Sequence, residues 1–530
     1  MIKSKESGHF SFYLVALVFV ISTVIKLLYI SGNNFAFTPD QGRDLIDIRQ
    51  MVVTHTPRLV GPTTSVNGVL LGPFYYYFIA IPFILFGGSP AAIVIWQIAW
   101  FQMAALFIWY ILRKKNLILA NLTAILLLFS PVGFYTGRYF WNANVMPIFT
   151  VIFFACLLDT LWYRDNFRLI FLGLVAGISL QIEAAFGILF FPFAFLILLL
   201  NKFSPKDLLK LSLAFGVTLL PQALFEFRHG FLMTKTLIAG LSGSSADLGE
   251  KLPLAVRLTE RYRTFQTAFL QSNHIGFGYL GPIFLAGFGY MLYSLVKSRK
   301  ARPENLVNYL SGGFMILAFV FYLSFPQHLK HWYTFGLSVS GLLFLASSFA
   351  GLYQEGRVGR LLTWTFISAT LYFTLLAHFS YLGEYLITKS SDPSNLANQL
   401  IAIDRVYQEA DGRAFRVYNY VPSVYDYTYQ YLFWWYGTKK YGYQPDEIFY
   451  LPGQPEYLAN NQVFWSKKKL FTKKDFTFLI VQEDGEHQDR VFAWEGNFTK
   501  LCPVRSFTIS PGLTVSKLET CSKNTTRAKP

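Results

Sequence analysis

The chain has 530 residues, 53% of them hydrophobic and 18% aromatic, with a mean hydropathy of +0.37. That composition excludes an ordinary soluble globule. A formal net charge of +16 would point to nucleic acid in a soluble protein. In a chain this apolar, Lys and Arg instead collect in cytoplasmic loops and set topology, with lipid phosphate as a second partner for them. No nucleic-acid module is visible.

The short basic start (Lys3, Lys5) places the N-terminus in the cytoplasm. Phe10–Ile30 is the first apolar run; it lacks a small-x-small cleavage site and reads as a retained span. The polar loop 31–68 follows on the opposite side and carries Thr38-Pro39-Asp40-Gln41-Gly42-Arg43-Asp44. Within it, apolar residues Leu45, Ile46, Ile48, Met51 and Val52 predict a short amphipathic helix over Asp44–Val53, lying in the membrane interface. Further apolar runs are Val69–Phe86, Ala91–Leu112, Leu117–Ser130, Val145–Trp162, Leu169–Leu180, Ala184–Leu200 and Leu211–Phe225. The long loop Glu226–Gly278 precedes Tyr279–Val296, Leu306–Phe325, Trp332–Leu352 and Leu361–Phe379.

Basic loops read as cytoplasmic place Tyr163–Arg168, Lys202–Lys210, Lys297–Arg302 and Gln354–Arg360 inside. Pro131–Asn144, Gln181–Glu183, Glu226–Gly278, Pro326–His331 and everything after Phe379 then fall outside. The runs amount to about 12–13 spans. A cytoplasmic start and an outer end require an odd number, so the exact count stays open between Ser31 and Leu112. The last stretch differs in kind. Short alternating segments (Phe415–Tyr420, Phe476–Val481, Thr514–Leu518) and a helical pattern over Asn395–Glu409 predict a mixed α/β domain. The expected architecture is a polytopic α-helical membrane protein of the plasma membrane. Residues 1–382 form its membrane domain, with 31–68 as the first outer loop, and 383–530 form an extracytoplasmic α/β domain. Cys502 and Cys521 can pair there if that compartment is oxidising. Asn497-Phe498-Thr499 and Asn524-Thr525-Thr526 fit the N-glycosylation acceptor pattern.

Four groups of residues on the outer face can carry chemistry. Asp40 is a solvated loop acid, a helix cap or a general base; Asp44 is the better N-cap for the helix that follows, which leaves Asp40 without a structural task. Arg43 can hold a phosphate or pair with one of these acids. Arg138, with Trp141 and Asn142, suits a polar ligand at interfacial depth or a snorkelling aromatic belt. Glu183 lies between two apolar runs, where a carboxylate is costly if buried. In Pro326–Tyr333, His328, Lys330 and His331 can grip a lipid phosphate through charge-assisted hydrogen bonds. The aromatic run Tyr425–Tyr431 with Trp434-Trp435 reads as packing rather than as a sugar platform.

These features resemble the GT-C superfamily of integral-membrane glycosyltransferases, in particular the protein-mannosyltransferase and aminoarabinose-transferase-like family. The resemblance covers about Phe10–Phe225. It rests on Pro39–Asp44, Gly72-Pro73-Phe74-Tyr75-Tyr76-Tyr77, Phe86-Gly87-Gly88-Ser89, Ser130-Pro131 with Arg138 and Trp141-Asn142, and Gly173–Gln181 leading to Glu183. It implies a sugar donor carried on a polyprenyl phosphate, transfer to an acceptor hydroxyl on the outer face, and Asp40 as general base, without a metal cofactor. Two departures stand out. Many relatives have a second acid directly after the first, where this chain has Gln41, so that Asp44 is the candidate second acid. Glu183 stands where many carry His. Rival readings are a transporter or flippase of lipid-linked sugars, against which no paired half-repeats are seen, and a polymerase or ligase built on the loop Glu226–Gly278.

Overall fold

The apolar runs fold as helices, because inside a bilayer every backbone N–H and C=O has to be satisfied within its own segment. The computed structural model describes residues 2–66, 68–241, 251–271, 289–290, 292–293, 302–387, 390–422, 426–453 and 471–521. The expected span Tyr279–Val296, most of the basic loop Lys297–Arg302 and the Asn524 acceptor site lie outside them or nearly so. In chain order the helices begin with α1 (Ile2–Tyr29), α2 (Pro39–Val53), α3 (Phe74–Leu85), α4 (Pro90–Arg113), α5 (Leu117–Phe129), α6 (Pro131–Thr136), α7 (Asn142–Tyr163) and α8 (Asn166–Ile182). They continue with α9 (Ala184–Gly187), α10 (Phe190–Leu200), α11 (Pro205–Thr218), α12 (Leu220–Arg228), α13 (Leu232–Leu241) and α14 (Leu254–Gln271). After these come α15 (Pro303–Ser324), α16 (Leu337–Gln354), α17 (Arg357–Ile387), α18 (Leu396–Ala410) and α19 (Tyr427–Leu432).

Among the described residues, six helices are long and apolar enough to cross a membrane, or seven if α11 and α12, bent by 52°, count as one span. Other apolar runs form shorter helices: Phe74–Leu85, Leu117–Phe129, Asn166–Ile182 and Ala184–Leu200. The sequence reading of about 12–13 spans counted each of these as a full crossing. The loop Glu226–Gly278 is not featureless, since α13 and α14 occupy much of it.

Two compact units form. One comprises Met1–Leu28, Arg58–Phe78 and Val94–Gly383; the other comprises Tyr29–Pro57, Ile79–Ile93 and Glu384–Pro530. The helical unit is centred on Phe314 of α15. Its ring meets those of Phe154, Phe186, Phe190 and Phe193 at centroid distances of 5.5, 5.7, 5.6 and 5.2 Å, mostly edge to face. Each such pair adds about 0.5–1.5 kcal/mol beyond its area burial, so this cluster locks α7, α9 and α10 to α15. Gln181 joins two other helices. Its Oε1 accepts from the Phe74 N–H at 3.2 Å and its Nε2 donates to the Thr218 carbonyl. Gly72 is needed there, because a Cβ would lie 2.3 Å from the Gln181 side chain.

The second unit is built on a mixed five-stranded sheet of β1 (Arg413–Tyr420), β2 (Glu447–Phe449), β3 (Phe471–Gln482), β4 (Leu501–Ser510) and β5 (Leu513–Thr520), in the order β2-β1-β3-β5-β4. β2, β1 and β3 run parallel, while β5 is antiparallel to both β3 and β4. The three segments expected as strands from alternation are β1, β3 and β5. Tyr418, Tyr420, Phe449, Leu479, Trp494, Phe498 and Leu518 form a core of this unit. Tyr429, Tyr431, Trp434 and Trp435 are buried within the unit. Cys502 and Cys521 are bonded, with Cα atoms 5.0 Å apart and a sequence separation of 19. The bond ties the open end of the β4–β5 hairpin. Opening such a loop costs about 3 kcal/mol in the chain-entropy picture. Cys502→Ser is therefore expected to lower the unfolding temperature of the purified full-length protein by several degrees; an unchanged temperature under non-reducing conditions would contradict this.

Candidate active site

The stretch around Asp40 opens α2. Thr38 is the N-cap, Pro39 takes the first helical position, and Gln41 at the third reaches back so that its Oε1 accepts the Thr38 N–H at 2.8 Å. This is a T-x-x-Q capping box with its proline start. Asp44 is not the cap that the sequence reading expected. The helix begins five residues before it, because the capping box already satisfies the first donors. The apolar face expected over Asp44–Val53 is covered by protein. The protein itself buries Gln41, Gly42, Asp44, Leu45, Ile46, Ile48, Arg49 and Met51 of α2. Gly42 lets α2 approach α19 closely, since a Cβ would stand 2.7 Å from the backbone of Tyr427 and Thr428.

One helical turn brings Asp40, Arg43 and Asp44 together. Arg43 Nη1 lies 3.0 Å from Asp40 Oδ1, and its Nη2 lies 2.9 Å from Asp44 Oδ1. Arg43 Nε also donates to Asp44 Oδ1, at 3.1 Å. The two acids differ in access: the Asp40 side chain is 49% exposed and that of Asp44 2%. Burial pushes the Asp44 carboxyl up to about 7, against the pull of Arg43.

Glu183 and Asn142 meet in the helical unit. Glu183 is the hinge between α8 and α9. Its Oε1 accepts from the Ala185 N–H at 3.4 Å and its Oε2 from Asn142 Nδ2 at 3.2 Å. Asn142, the first residue of α7, also donates to the Ile182 carbonyl at 2.9 Å. Both are buried, and their geometry is that of a joint between helices. The Arg138 guanidinium lies over the Tyr381 ring at 4.5 Å.

The polar segment Pro326–Tyr333 is held from α14. Arg261, fully buried, donates to the carbonyls of Tyr322, Phe325 and Gln327, at 3.0 Å to the first two. Glu260 Oε1 accepts the Leu329 N–H at 3.0 Å and lies 3.4 Å from His328 Nδ1. His328 is otherwise exposed, and Lys330 is exposed, with Nζ 5.9 Å from the Trp332 ring. His331 instead faces a cavity of about 570 Å³, whose lining includes Val132, Trp141, Asn144, Glu260 and Arg263. Arg263 is exposed. Sequence reading passed over it because α14 was taken as loop. The signal lay in the alternation of Arg257, Arg261, Phe265 and Ala268 with outward residues at helical spacing.

Residues 71–226 match the family model described as dolichyl-phosphate-mannose-protein mannosyltransferase. A comparison with curated protein sequences returns no match. Among solved structures, ArnT from Cupriavidus metallidurans in the apo state superposes with a TM-score of 0.58 at 12% identity, over 95% of this chain and 97% of that one. The same protein bound to undecaprenyl phosphate gives 0.57, with the same identity and coverage. At that identity the likeness shows a shared fold. The resemblance read from the sequence is borne out at both levels: the chain is a multi-span helical membrane protein with an ArnT-like fold, and the stretch from 71 to 226 carries the family match.

The tight seat of Gly42 gives a prediction. Gly42→Ala must push α2 off the 427–428 backbone, at a cost of about 1–3 kcal/mol. The expected result is a lower unfolding temperature together with a loss of whatever activity Asp40 supports. A fully stable and active variant would show that the approach is not required.

Proposed function

We propose that the protein is an integral-membrane glycosyltransferase. It moves a sugar from a polyprenyl-phosphate donor to a hydroxyl of a lipid, glycan or protein acceptor at the outer face of the plasma membrane. The observation that carries the reading is the unequal exposure of two acids on one arginine. Asp40 is open to an incoming acceptor, whereas Asp44 is sealed. Asp40 is thus the general base and Asp44 the group that holds Arg43 in place. The family match, and the undecaprenyl phosphate bound by the ArnT of the same fold, support the donor class. The positive-inside reading and the Cys502–Cys521 bond support an outer, oxidising location for the sheet-bearing unit.

The chemistry is a single displacement. The acceptor oxygen bonds to the anomeric carbon as its proton passes to the Asp40 carboxylate, and the bond from that carbon to the phosphate oxygen breaks. Configuration inverts. Polyprenyl phosphate leaves carrying the negative charge, which a cationic side chain stabilises. Within the helical unit, Arg263 is the candidate for the phosphate, an exposed cation in the lining of the cavity. Among the described residues, no ion pair or hydrogen bond occupies it. His331 is the sequence candidate that shares that lining, while Lys330 and His328 stand outside it. Glu183 and Asn142 set the joint of α8 with α9 and α7.

Two measurements test these roles. Asp40→Asn in proteoliposomes is expected to cut sugar transfer at least a hundredfold, the usual worth of a general base, with normal expression; near-normal transfer removes Asp40 from the chemistry. Arg263→Ala is expected to weaken binding of undecaprenyl phosphate about tenfold or more, as the loss of a charge-assisted hydrogen bond implies. Unchanged binding would exclude the cavity as the phosphate site.

A further inference from the structure

A lysine that the sequence reading did not single out lies fully buried in α1. Lys26 is 1% exposed. Its Nζ donates to Ser22 Oγ at 2.8 Å, Gln102 Oε1 at 2.9 Å and the Leu128 carbonyl at 3.0 Å. All three N–H donors are used, and all three acceptors are neutral. The rings of Phe101 and Phe134 complete the enclosure, with centroids 5.2 and 4.9 Å from Nζ. A charge at that depth is expensive, and an apolar side chain would fill the same space at lower cost. The lysine therefore does something that packing does not.

Its position says what. Leu128 lies in the last turn of α5, where carbonyls have no partner within the helix and the dipole end is negative. Ser22 Oγ donates to the same carbonyl at 2.7 Å. Two residues on, Ser130-Pro131 turns the chain into α6, and Val132 and Thr136 of α6 line the cavity with Arg263. The far end of α6 is held by Gln97, whose Nε2 donates to the Thr136 carbonyl at 2.9 Å. Phe134, in the middle of α6, is covered by Lys26 on one side and by the His378 ring, 3.8 Å away, on another. Gly133 completes the fit: a Cβ there would lie 2.6 Å from Phe101 and 3.2 Å from Lys26 Nζ.

We propose that Lys26 is a positioning residue for the polyprenyl-phosphate site, its ammonium closing the carbonyl end of α5 and so fixing the α5–α6 corner that forms one wall of the cavity. The proposal rests on the donor reading above. It makes no contact with the donor itself, so its effect falls on affinity through the shape of that wall.

The test uses full-length protein in nanodiscs with undecaprenyl phosphate as the probe. Dissociation constant and unfolding temperature are measured for wild type, Lys26→Met, Lys26→Arg and Gly133→Ala. Lys26→Met and Gly133→Ala are expected to weaken binding at least fivefold while the unfolding temperature stays within about 3 °C of wild type. Lys26→Arg, which keeps the charge and the donors, is expected to recover most of the affinity. If the folded Lys26→Met protein binds as wild type does, the proposal is overturned. It is also overturned if affinity and unfolding temperature fall together in every variant, since that assigns Lys26 to general stability. Should Lys26→Met fail to fold, Gly133→Ala, which keeps the lysine and disturbs only its corner, decides by the same two readouts. Wild-type protein that does not bind the lipid overturns the donor reading, and this proposal with it; wild-type binding with unaltered variants overturns this proposal alone.

Discussion

Arg43 holds two acids at once, and the candidate chemistry depends on how it does so. The pair with Asp40 is partly exposed and worth little on its own. The pair with Asp44 is different: its carboxylate is sealed, and removing Arg43 would leave a buried carboxyl without its cation, at a cost of several kcal/mol. The sealed partner fixes the arginine, and the fixed arginine orients the open acid. Gly42 and the capping box serve the same end, by seating the helix against the 427–428 backbone and by setting where its first turn begins.

Much of this was legible in the residues, and what was missed has physical causes. The apolar runs declared a polytopic helical protein, because hydrocarbon imposes the same demand on every crossing. Alternation declared β1, β3 and β5, whose faces differ in environment. The start of α2 is legible too: Thr38-Pro39-Asp40-Gln41 spells a capping box, although Asp44, nearer the apolar stripe, is the more conspicuous cap candidate. The amphipathic pattern of Leu45, Ile46, Ile48 and Met51 was real, but periodicity tells which face is apolar and not what covers it. Glu183 and Asn142 each stand out in the sequence on their own. Their contact spans 41 residues of chain and no local pattern encodes it.

Buried cations follow one rule in the helical unit. Arg261 closes the carbonyl end of α15, and Lys26 closes that of α5. In both places a side chain supplies donors that a helix end lacks, and the favourable dipole offsets part of the desolvation cost. Both segments so fixed, 325–329 and 131–136, contribute to the cavity lining through Leu329, Val132 and Thr136. A cavity with apolar walls does not hold its own shape through directional contacts; these two cations provide them from behind. Sequence alone hides this, because the acceptors are backbone carbonyls, which every residue carries.

The central claim is that a sugar leaves a polyprenyl monophosphate within this protein. The most direct measurement is the lipid product. Purified protein in proteoliposomes is given a polyprenyl-phosphate sugar with a cell-envelope extract as acceptor, and the lipid is followed by phosphorus NMR and mass spectrometry. The account predicts free polyprenyl phosphate appearing in equal amount to newly glycosylated acceptor. Movement of the intact lipid-linked sugar across the bilayer with no free polyprenyl phosphate formed would contradict it, and would make the protein a transporter.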